Sequence, residues 1–432
     1  MKSSIKNREK SLFMWNRRIQ IALNEQKAKD RYRQRQRSVT QDCTHSIRVD
    51  HQVYMNFSSN DYLGLAHHPK MTEAAELGAK RFGVGSGGSP HVTGYSEPLA
   101  MLEERLANWL GYDAAIVYPS GFTANQAAIK LLIARNDVMI ADRLSHASLL
   151  EAAMFSPGRL YRFKHNDIAS LESYLEKGAE LSEESGQLVI TEGIFSMDGD
   201  HAPLDQIAKV AQKAEALLMV DDAHGIGICG EQGRGSCDHY GIKPDILVVT
   251  FGKAFGCSGA ALLLSKEFAQ YFVQFSKPLI YSTAIPPMQA AILLQAMEII
   301  QSQEGDIRRQ TLARNIAYFR SEMTKVLTTL SQKSQMNNMD ESLSNISYQL
   351  PYLLESHSPI QPLVIGEDQA ALDISANLRT KGIWVSAIRP PTVPPKTARL
   401  RMTITADHTV EMINALVAAL ESAILENMDQ AL

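Results

Sequence analysis

Short runs of apolar and β-branched residues recur through the middle of the chain, and each run stops at polar or glycine-containing sequence. They span residues 114–118, 137–142, 187–193, 217–221 and 245–250. Runs of this length predict strands that are buried on both faces of a parallel sheet, with helices in the segments between them. The alternation therefore predicts an α/β protein with a mostly parallel sheet.

The overall composition limits the classes of protein that this chain can belong to. It has 432 residues, 45% hydrophobic and 21% charged, which is enough for a large core and two domains. The formal net charge of −4 gives no general reason to expect nucleic-acid binding, and no apolar run reaches the length of a membrane span. The four cysteines form no CxxC pattern, so we expect a cytoplasmic protein in a reducing compartment.

The first 37 residues are strongly basic, with twelve Lys or Arg residues against three acids. Leu12, Ile19, Ala22 and Leu23 fall at helical spacing, which predicts an amphipathic helix with a cationic face. That face could be merely solvated, or it could attract an anionic substrate carrier. Nucleic-acid binding ranks third because no recognition motif accompanies the charge.

A lysine follows the last of the five predicted strands, in the sequence Thr250, Phe251, Gly252, Lys253. The carboxyl end of a strand is where open α/β sheets bind their ligands. An amine held there away from bulk water has a lowered pKa and can act as a nucleophile. Taken alone, Lys253 would fit a surface position after a core strand better, so its interpretation depends on the other strand ends.

Polar side chains follow the other predicted strands in the same way. His146 lies after the second strand and Ser196 after the third, while Asp221 and His224 lie at the end of the fourth. Parallel strands would bring all of them, with Lys253, to one edge of one sheet. Asp221 and His224 could suggest a metal site, but a third close ligand is missing and we expect no metal.

This set of residues predicts a site for pyridoxal 5′-phosphate. That cofactor needs an amine to bind its aldehyde carbon and an acid beside its pyridine nitrogen, roles that suit Lys253 and Asp221. A histidine such as His146 could stack on the ring. Gly121 and Phe122 open a predicted helix, whose free amides suit the phosphate together with Thr250.

The C-terminal part of the chain predicts a second, smaller α/β domain. Its predicted strands span residues 360–365, 383–388 and 398–405, and its helices residues 368–381 and 409–425. Before them, residues 331–358 are rich in Ser, Gln and Asn and predict an irregular insertion. We divide the chain into an N-terminal helix and arm (1–57), a large domain (58–304) and a small domain (305–432).

Seven segments resemble the α-oxoamine synthases, pyridoxal-phosphate enzymes of fold type I. They are residues 56–65, 85–89, 142–152, 191–200, 220–225, 230–236 and 250–253. The resemblance implies a large domain with a mostly parallel seven-stranded sheet flanked by helices, plus a smaller α/β C-terminal domain. It also implies a homodimer with its active site at the subunit interface.

The resemblance further implies a role for each matching residue. Lys253 would bind the cofactor covalently, His146 would stack on its ring, and Asp221 would pair with the pyridine nitrogen. The ring oxygen would be reached by His224 and Ser196, and the phosphate by Gly121, Phe122 and Thr250. The substrate-binding residues implied are Arg33, Asn60, His146, Arg389, Thr392 and Arg401, with the amino-acid carboxylate held by Asn60 and either Arg401 or Arg389.

Residues 387–394 are similar to the member of the family that uses a pimeloyl thioester. The implied reaction joins L-alanine to a pimeloyl group carried by coenzyme A or an acyl carrier protein, with loss of carbon dioxide. Related synthases remain alternatives, such as glycine C-acetyltransferase or the enzymes that use glycine or serine with other thioesters. An aminotransferase of the same fold and a non-catalytic cofactor-binding subunit are the further alternatives.

Overall fold

The computed structural model describes residues 2–29, 31–33, 35–41, 43–180, 185–337 and 350–431. In these ranges the strands are β1 (Ser38–Gln41), β2 (Cys43–Val49), β3 (Gln52–Asn56), β4 (Ala114–Tyr118), β5 (Val138–Asp142), β6 (Arg159–Phe163), β7 (Gln187–Glu192), β8 (Leu217–Asp221), β9 (Ile246–Thr250), β10 (Ala260–Leu264), β11 (Tyr352–Leu353), β12 (Ile360–Gly366), β13 (Ile383–Trp384), β14 (Ser386–Ile388) and β15 (Ala398–Thr403).

The α-helices of the same ranges alternate with these strands through the large domain and enclose them. They are α1 (Lys2–Ala28), α2 (Pro69–Phe82), α3 (Glu97–Leu110), α4 (Gly121–Leu132), α5 (Ala147–Met154), α6 (Ile168–Ala179), α7 (Leu204–Lys213), α8 (Ser236–His239), α9 (Lys266–Phe275), α10 (Lys277–Tyr281), α11 (Pro287–Gln301), α12 (Gln303–Asn337), α13 (Asp368–Thr380) and α14 (Val410–Ala431).

The central sheet contains seven of the described strands, in the order β4-β10-β9-β8-β7-β5-β6. Only β10 runs antiparallel to its neighbours β4 and β9. Along β5, Val138 and Ile140 pack into one hydrophobic core while Met139 and Ala141 pack into another. Because helices cover both faces, the strands contain continuous apolar runs. The predicted fold class is confirmed.

The small domain is built on an antiparallel sheet of the order β11-β12-β15-β14. The strand predicted over residues 383–388 is wrong as a single element. Residues 383–384 pair in parallel with β3, and residues 386–388 pair with β15. Between them, the Val385 carbonyl accepts a hydrogen bond from Ser375 Oγ, and the Ser386 amide donates one to Ser58 Oγ. These side-chain contacts let the chain pass from one sheet to the other.

The predicted irregular insertion is wrong at both of its ends. Helix α12 continues to Asn337, since Ser and Gln side chains are compatible with a helix that is anchored by its preceding turns. At the other end, β11 pairs with β12, and Ser356 and Ser358 are buried. Ser356 Oγ donates to the Gly199 carbonyl at 2.8 Å. Residues 338–349 lie outside the described residues, and the division into three domains stays a prediction.

Helix α1 forms where the amphipathic pattern predicts a helix. Its described side chains in residues 7–28 are all exposed, including the apolar Leu12, Trp15 and Ile19. None of the helices in the described ranges has the length and apolar character that crossing a membrane would require.

Candidate active site

A cavity of about 550 Å³ lies at the carboxyl ends of the parallel strands, and we call it the lysine pocket. Strands β4, β5, β7, β8 and β9 all end at this edge, which explains why residues far apart in sequence meet there. The predicted residues that line it are Asn60, Gly121, Phe122, His146, Ser196, Asp221, His224, Thr250, Lys253 and Arg401.

Lys253 follows β9, and its Nζ donates to Thr250 Oγ1 at 3.3 Å. Its pKa is lowered because burial disfavours the ammonium form, although the carboxyl groups of Asp221 and Glu192 oppose this effect. A lowered amine pKa increases the fraction of neutral, nucleophilic lysine. The lysine is therefore suited to attack an aldehyde carbon.

Asp221 is the last residue of β8 and accepts two hydrogen bonds. Asn125 Nδ2 donates to its Oδ2 at 2.7 Å, and the Ala223 amide donates to its Oδ1 at 3.0 Å. These donors fix the carboxylate at the pocket wall, where it could pair with a protonated ring nitrogen. The sequence pattern predicted Asp221 but gave no sign of Asn125.

His224 is held by a tyrosine that the sequence reasoning missed. Its Nδ1 shares a hydrogen bond of 2.6 Å with Tyr62 Oη, across 162 residues of sequence. Burial lowers the pKa of His224 well below its ordinary value, with the cations of Lys253 and Arg401 adding to the effect. Burial also raises the pKa of Tyr62 to about 12. Both groups are therefore neutral near pH 7.

His146 stands at the start of α5, in the loop after β5. Its side chain is exposed along the cavity, and its backbone amide donates to Glu192 Oε1 at 2.5 Å. The surrounding protein lowers the pKa of the imidazole by desolvation, with Asp221 opposing the shift and Lys253 reinforcing it. Glu192 is fully buried beside Asp221, and burial raises its pKa well above the ordinary value, with the Asp221 carboxylate adding to the effect.

The start of α4 has the form of a phosphate site. Ser120 caps the helix by accepting a hydrogen bond from the Thr123 amide, and Gly121 and Phe122 form its first turn. A side chain at Gly121 would place its Cβ 2.7 Å from Thr250 Cγ2, so only glycine fits beside that threonine. The free amides and the helix dipole favour an anionic group here.

Arg401 enters the lysine pocket from β15 of the small domain. Its Nε donates to the Ser196 carbonyl at 2.7 Å and its Nη1 to Asn60 Oδ1 at 3.2 Å. This contact brings together two of the predicted carboxylate-binding residues and leaves a buried cation at the pocket wall. A substrate carboxylate could bind there by charge-assisted hydrogen bonds.

The remaining predicted substrate residues are not in the lysine pocket. Arg33, Arg389 and Thr392 line a separate cavity of about 570 Å³, which we call the arginine cavity. Ile388 contributes to both cavities, so they adjoin at β14. The arginine cavity also includes Arg31 and Tyr32 from the N-terminal arm. The structure thus divides the predicted substrate residues into two groups.

A parallel-sheet fold whose lysine pocket combines a nucleophilic amine, a carboxylate and a helix start ready for phosphate defines a pyridoxal-phosphate enzyme of fold type I. A model of the aminotransferase class I and II family matches residues 52–420. The chain belongs to that family, among its 8-amino-7-oxononanoate synthases.

Two curated relatives carry the name 8-amino-7-oxononanoate synthase. The protein from Pectobacterium atrosepticum is 49% identical over 95% of this chain and 98% of its own length. The protein from Citrobacter koseri is 49% identical over 95% of this chain and 99% of its own length. Both comparisons extend over nearly the whole chain, including the lysine pocket.

Solved structures show the same fold. A variant of the serine palmitoyltransferase from S. paucimobilis, with a bound PLP–myriocin aldimine, superposes with a TM-score of 0.80 at 24% identity, covering 90% of this chain and 92% of that chain. An 8-amino-7-oxononanoate synthase from Francisella tularensis has a TM-score of 0.67 at 27% identity, covering 87% of this chain and 99% of that chain. The first is similar in fold alone.

Proposed function

We propose that this protein catalyses the decarboxylative condensation of L-alanine with a pimeloyl thioester. The products are 8-amino-7-oxononanoate, carbon dioxide and the free thiol carrier, a step of biotin biosynthesis. The observation that supports this most strongly is the meeting of Lys253, Asp221 and His146 in one pocket. The 49% identity to the two named relatives supports the choice of reaction.

Bound pyridoxal phosphate would supply an electron sink for the negative charge that develops at the amino-acid Cα. In our proposal the protein holds and tunes that ring. Lys253 would hold it covalently, Asp221 would keep its nitrogen protonated and His146 would cover one face. His224 and Ser196 would bind the ring oxygen, and Gly121, Phe122 and Thr250 the phosphate.

Lys253 would have a second task besides holding the cofactor. Its amine, with a lowered pKa, can take the proton from the alanine Cα and later return one to the product. The hydrogen bond from Nζ to Thr250 Oγ1 holds the amine at this edge of the pocket. Covalent attachment and proton transfer are therefore assigned to one side chain.

The alanine carboxylate would bind Arg401 and Asn60. Arg401 is favoured over Arg389 because it lines the lysine pocket, whereas Arg389 lines the arginine cavity. The arginine cavity would receive the acyl donor, whose anionic groups suit Arg33 and Arg389. Thr392 would lie on the path of this substrate. Coenzyme A and an acyl carrier protein are both anionic, so either fits this role.

We also propose a cytoplasmic homodimer. The four cysteines form no disulfides, which suits a reducing compartment. Helix α1 displays Leu12, Trp15 and Ile19 without covering them, and a second copy of the chain would remove such apolar surface from water. Sedimentation equilibrium of the purified protein tests the dimer.

Product identification tests the proposed reaction. Alanine, glycine and serine are each offered with pimeloyl and acetyl thioesters, and the products are identified by mass spectrometry. We expect alanine with the pimeloyl thioester to give the dominant product. Preferred use of glycine with the acetyl thioester would instead identify a glycine C-acetyltransferase, and product formation from an oxo acid without any thioester would identify an aminotransferase.

A further inference from the structure

A continuous line of hydrogen bonds joins the carboxylate of Asp221 to the imidazole of His146. Asn125 Nδ2 lies 2.7 Å from Asp221 Oδ2 and 2.9 Å from Ser148 Oγ. Ser148 Oγ lies 2.7 Å from His146 Nδ1. Asn125 and Ser148 are both buried, on α4 and α5. Two helices on the same face of the sheet thus connect the acid and the histidine of the pocket.

The direction of each hydrogen bond follows from its neighbours. The opposite orientation of the Asn125 amide would place its oxygen 2.7 Å from a carboxylate oxygen, so the nitrogen must face Asp221 and donate. The same nitrogen donates its other hydrogen to Ser148 Oγ. This orientation leaves Asn125 Oδ1 buried without a partner, as expected if the Asp221 carboxylate decides it.

The remaining bonds then determine the state of the histidine. Ser148 Oγ accepts from Asn125, so its own hydrogen is available for His146 Nδ1. The backbone amide of Ser148 points at the same nitrogen from 3.2 Å, and an N–H can only donate. With two donors directed at it, Nδ1 is an acceptor and carries no proton.

We propose that Asn125 and Ser148 are positioning residues that hold His146 neutral, with its proton on Nε2. Among the described residues Nε2 has no hydrogen-bonding partner, and the ring lines the lysine pocket, so this N–H is available to whatever binds there. The proposal rests on the proposed function in one respect, since it takes the lysine pocket as the place where cofactor and substrate bind. The protonation state of His146 can be measured without knowing the substrate.

Charged groups from the other strand ends act on the same imidazole. Desolvation and the Lys253 cation disfavour its protonation and Asp221 favours it, while Glu192 on β7 accepts a hydrogen bond from the His146 backbone amide. The imidazole of His224 also lies within electrostatic range. Asp221 favours a proton on the histidine, and the donors at Nδ1 oppose that effect by disfavouring a proton on this nitrogen.

Nitrogen-15 NMR of the histidine side chains in the cofactor-bound enzyme tests the proposal directly, since protonated and unprotonated ring nitrogens have distinct shifts. His146→Gln identifies the signals of His146 among the twelve histidines. We expect an unprotonated Nδ1 and a protonated Nε2 near pH 7. A proton on Nδ1 in the wild-type enzyme would overturn the proposal.

Three variants extend the test. Ser148→Ala removes a donor to Nδ1, and Asn125→Ala frees the Ser148 hydroxyl to turn and accept instead. Both should allow a proton on Nδ1, move the acid limb of the pH–rate profile to higher pH and lower kcat about tenfold, the effect of one hydrogen bond. Ser148→Thr keeps the hydroxyl and should restore the wild-type spectrum.

Gln126→Ala is the matched control. Gln126 is the next residue on α4 and bonds to Glu151, outside the line of hydrogen bonds from Asp221 to His146. We expect it to leave the His146 signals and kcat unchanged. The double variant Asn125→Ala/Ser148→Ala should be no worse than the more damaging single variant, since both act on one line of bonds. Additive losses of kcat with unchanged His146 signals would show that Asn125 and Ser148 only support packing, and would refute the proposal.

Discussion

The lysine pocket and a further cavity between the predicted large and small domains differ in organisation, although both contain histidines. The cavity between the domains is larger, about 710 Å³ against about 550 Å³, and we call it the interdomain cavity. His201, His239 and His357 line it, yet none of these three rings hydrogen-bonds to a side chain in the described ranges. In the lysine pocket, His146 and His224 are each fixed by hydroxyl groups.

The comparison shows that the predicted catalytic residues meet in the smaller of the two cavities. The lysine pocket receives its residues from the ends of five parallel strands, so its groups change one another's pKa values. The interdomain cavity is lined by residues of α12, by the end of α8 and by loops. Substitutions in the two cavities should therefore have very different effects.

The largest effect is expected for Lys253→Ala. Removing the amine removes both the covalent attachment of the cofactor and the proton carrier, so turnover should fall more than about a thousandfold. The visible absorption of the protein-bound cofactor should change with it. Lys266→Ala, at an exposed position on α9, is the control and should retain both properties. Turnover close to wild type in Lys253→Ala would show that the lysine pocket is not the catalytic site.

An intermediate effect is expected for Arg401→Ala. Loss of a charge-assisted contact worth about 1.5–3 kcal/mol should raise the KM for alanine about tenfold or more. Arg389→Ala is its counterpart in the arginine cavity and should raise the KM for the thioester while leaving that for alanine unchanged. Steady-state kinetics with each substrate varied in turn measures both. The reverse pattern would assign the binding of the alanine carboxylate to Arg389.

The smallest effect is expected in the interdomain cavity. His239 and His357 are exposed there, and neither contacts the lysine pocket. Replacing either by Asn should leave kcat/KM within about twofold of wild type, as for exposed residues outside a site. A tenfold loss in either variant would mean that the interdomain cavity takes part in the reaction and that the contrast between the cavities is wrong.

The sheet and its active edge could be predicted because the strands are buried on both faces. Strands of this kind give unbroken apolar runs, which are easy to recognise in a sequence. The residue after each run then marks the carboxyl edge of the sheet. The resemblance to a known family added the individual roles, which remain predictions. Lys253, Asp221 and His224 all lie in the pocket that the strand ends form.

The supporting residues could not be predicted in the same way. Tyr62, Asn125 and Glu192 look like ordinary loop, helix and strand residues, and their partners lie far away in the sequence. Only the packing of α4 against the sheet brings Asn125 to Asp221. Asn125 and Gln126 stand side by side in the sequence of α4, and nothing in that pattern marks Asn125 as the buried one.

The irregular segment was mispredicted because polarity was treated as a sign of disorder. Ser356 and Ser358 are buried and bond to each other, and Ser356 also donates to the Gly199 carbonyl in the loop that carries Ser196. Short hydroxyl side chains can satisfy buried backbone groups as well as solvated ones. The Gly199 carbonyl is distant in sequence, and no local pattern reveals that contact.

The pairing of β3 with β13 has a consequence for synthesis of the protein. Met55 in β3 pairs with Ile383 in β13. Strand β3 is synthesised early, so its pairing cannot be completed until β13 is made near the end of translation. Until then the outer edge of β3 is open to pairing with another nascent chain. Chains truncated before residue 383 should therefore aggregate or require chaperones, even if the whole large domain has been translated.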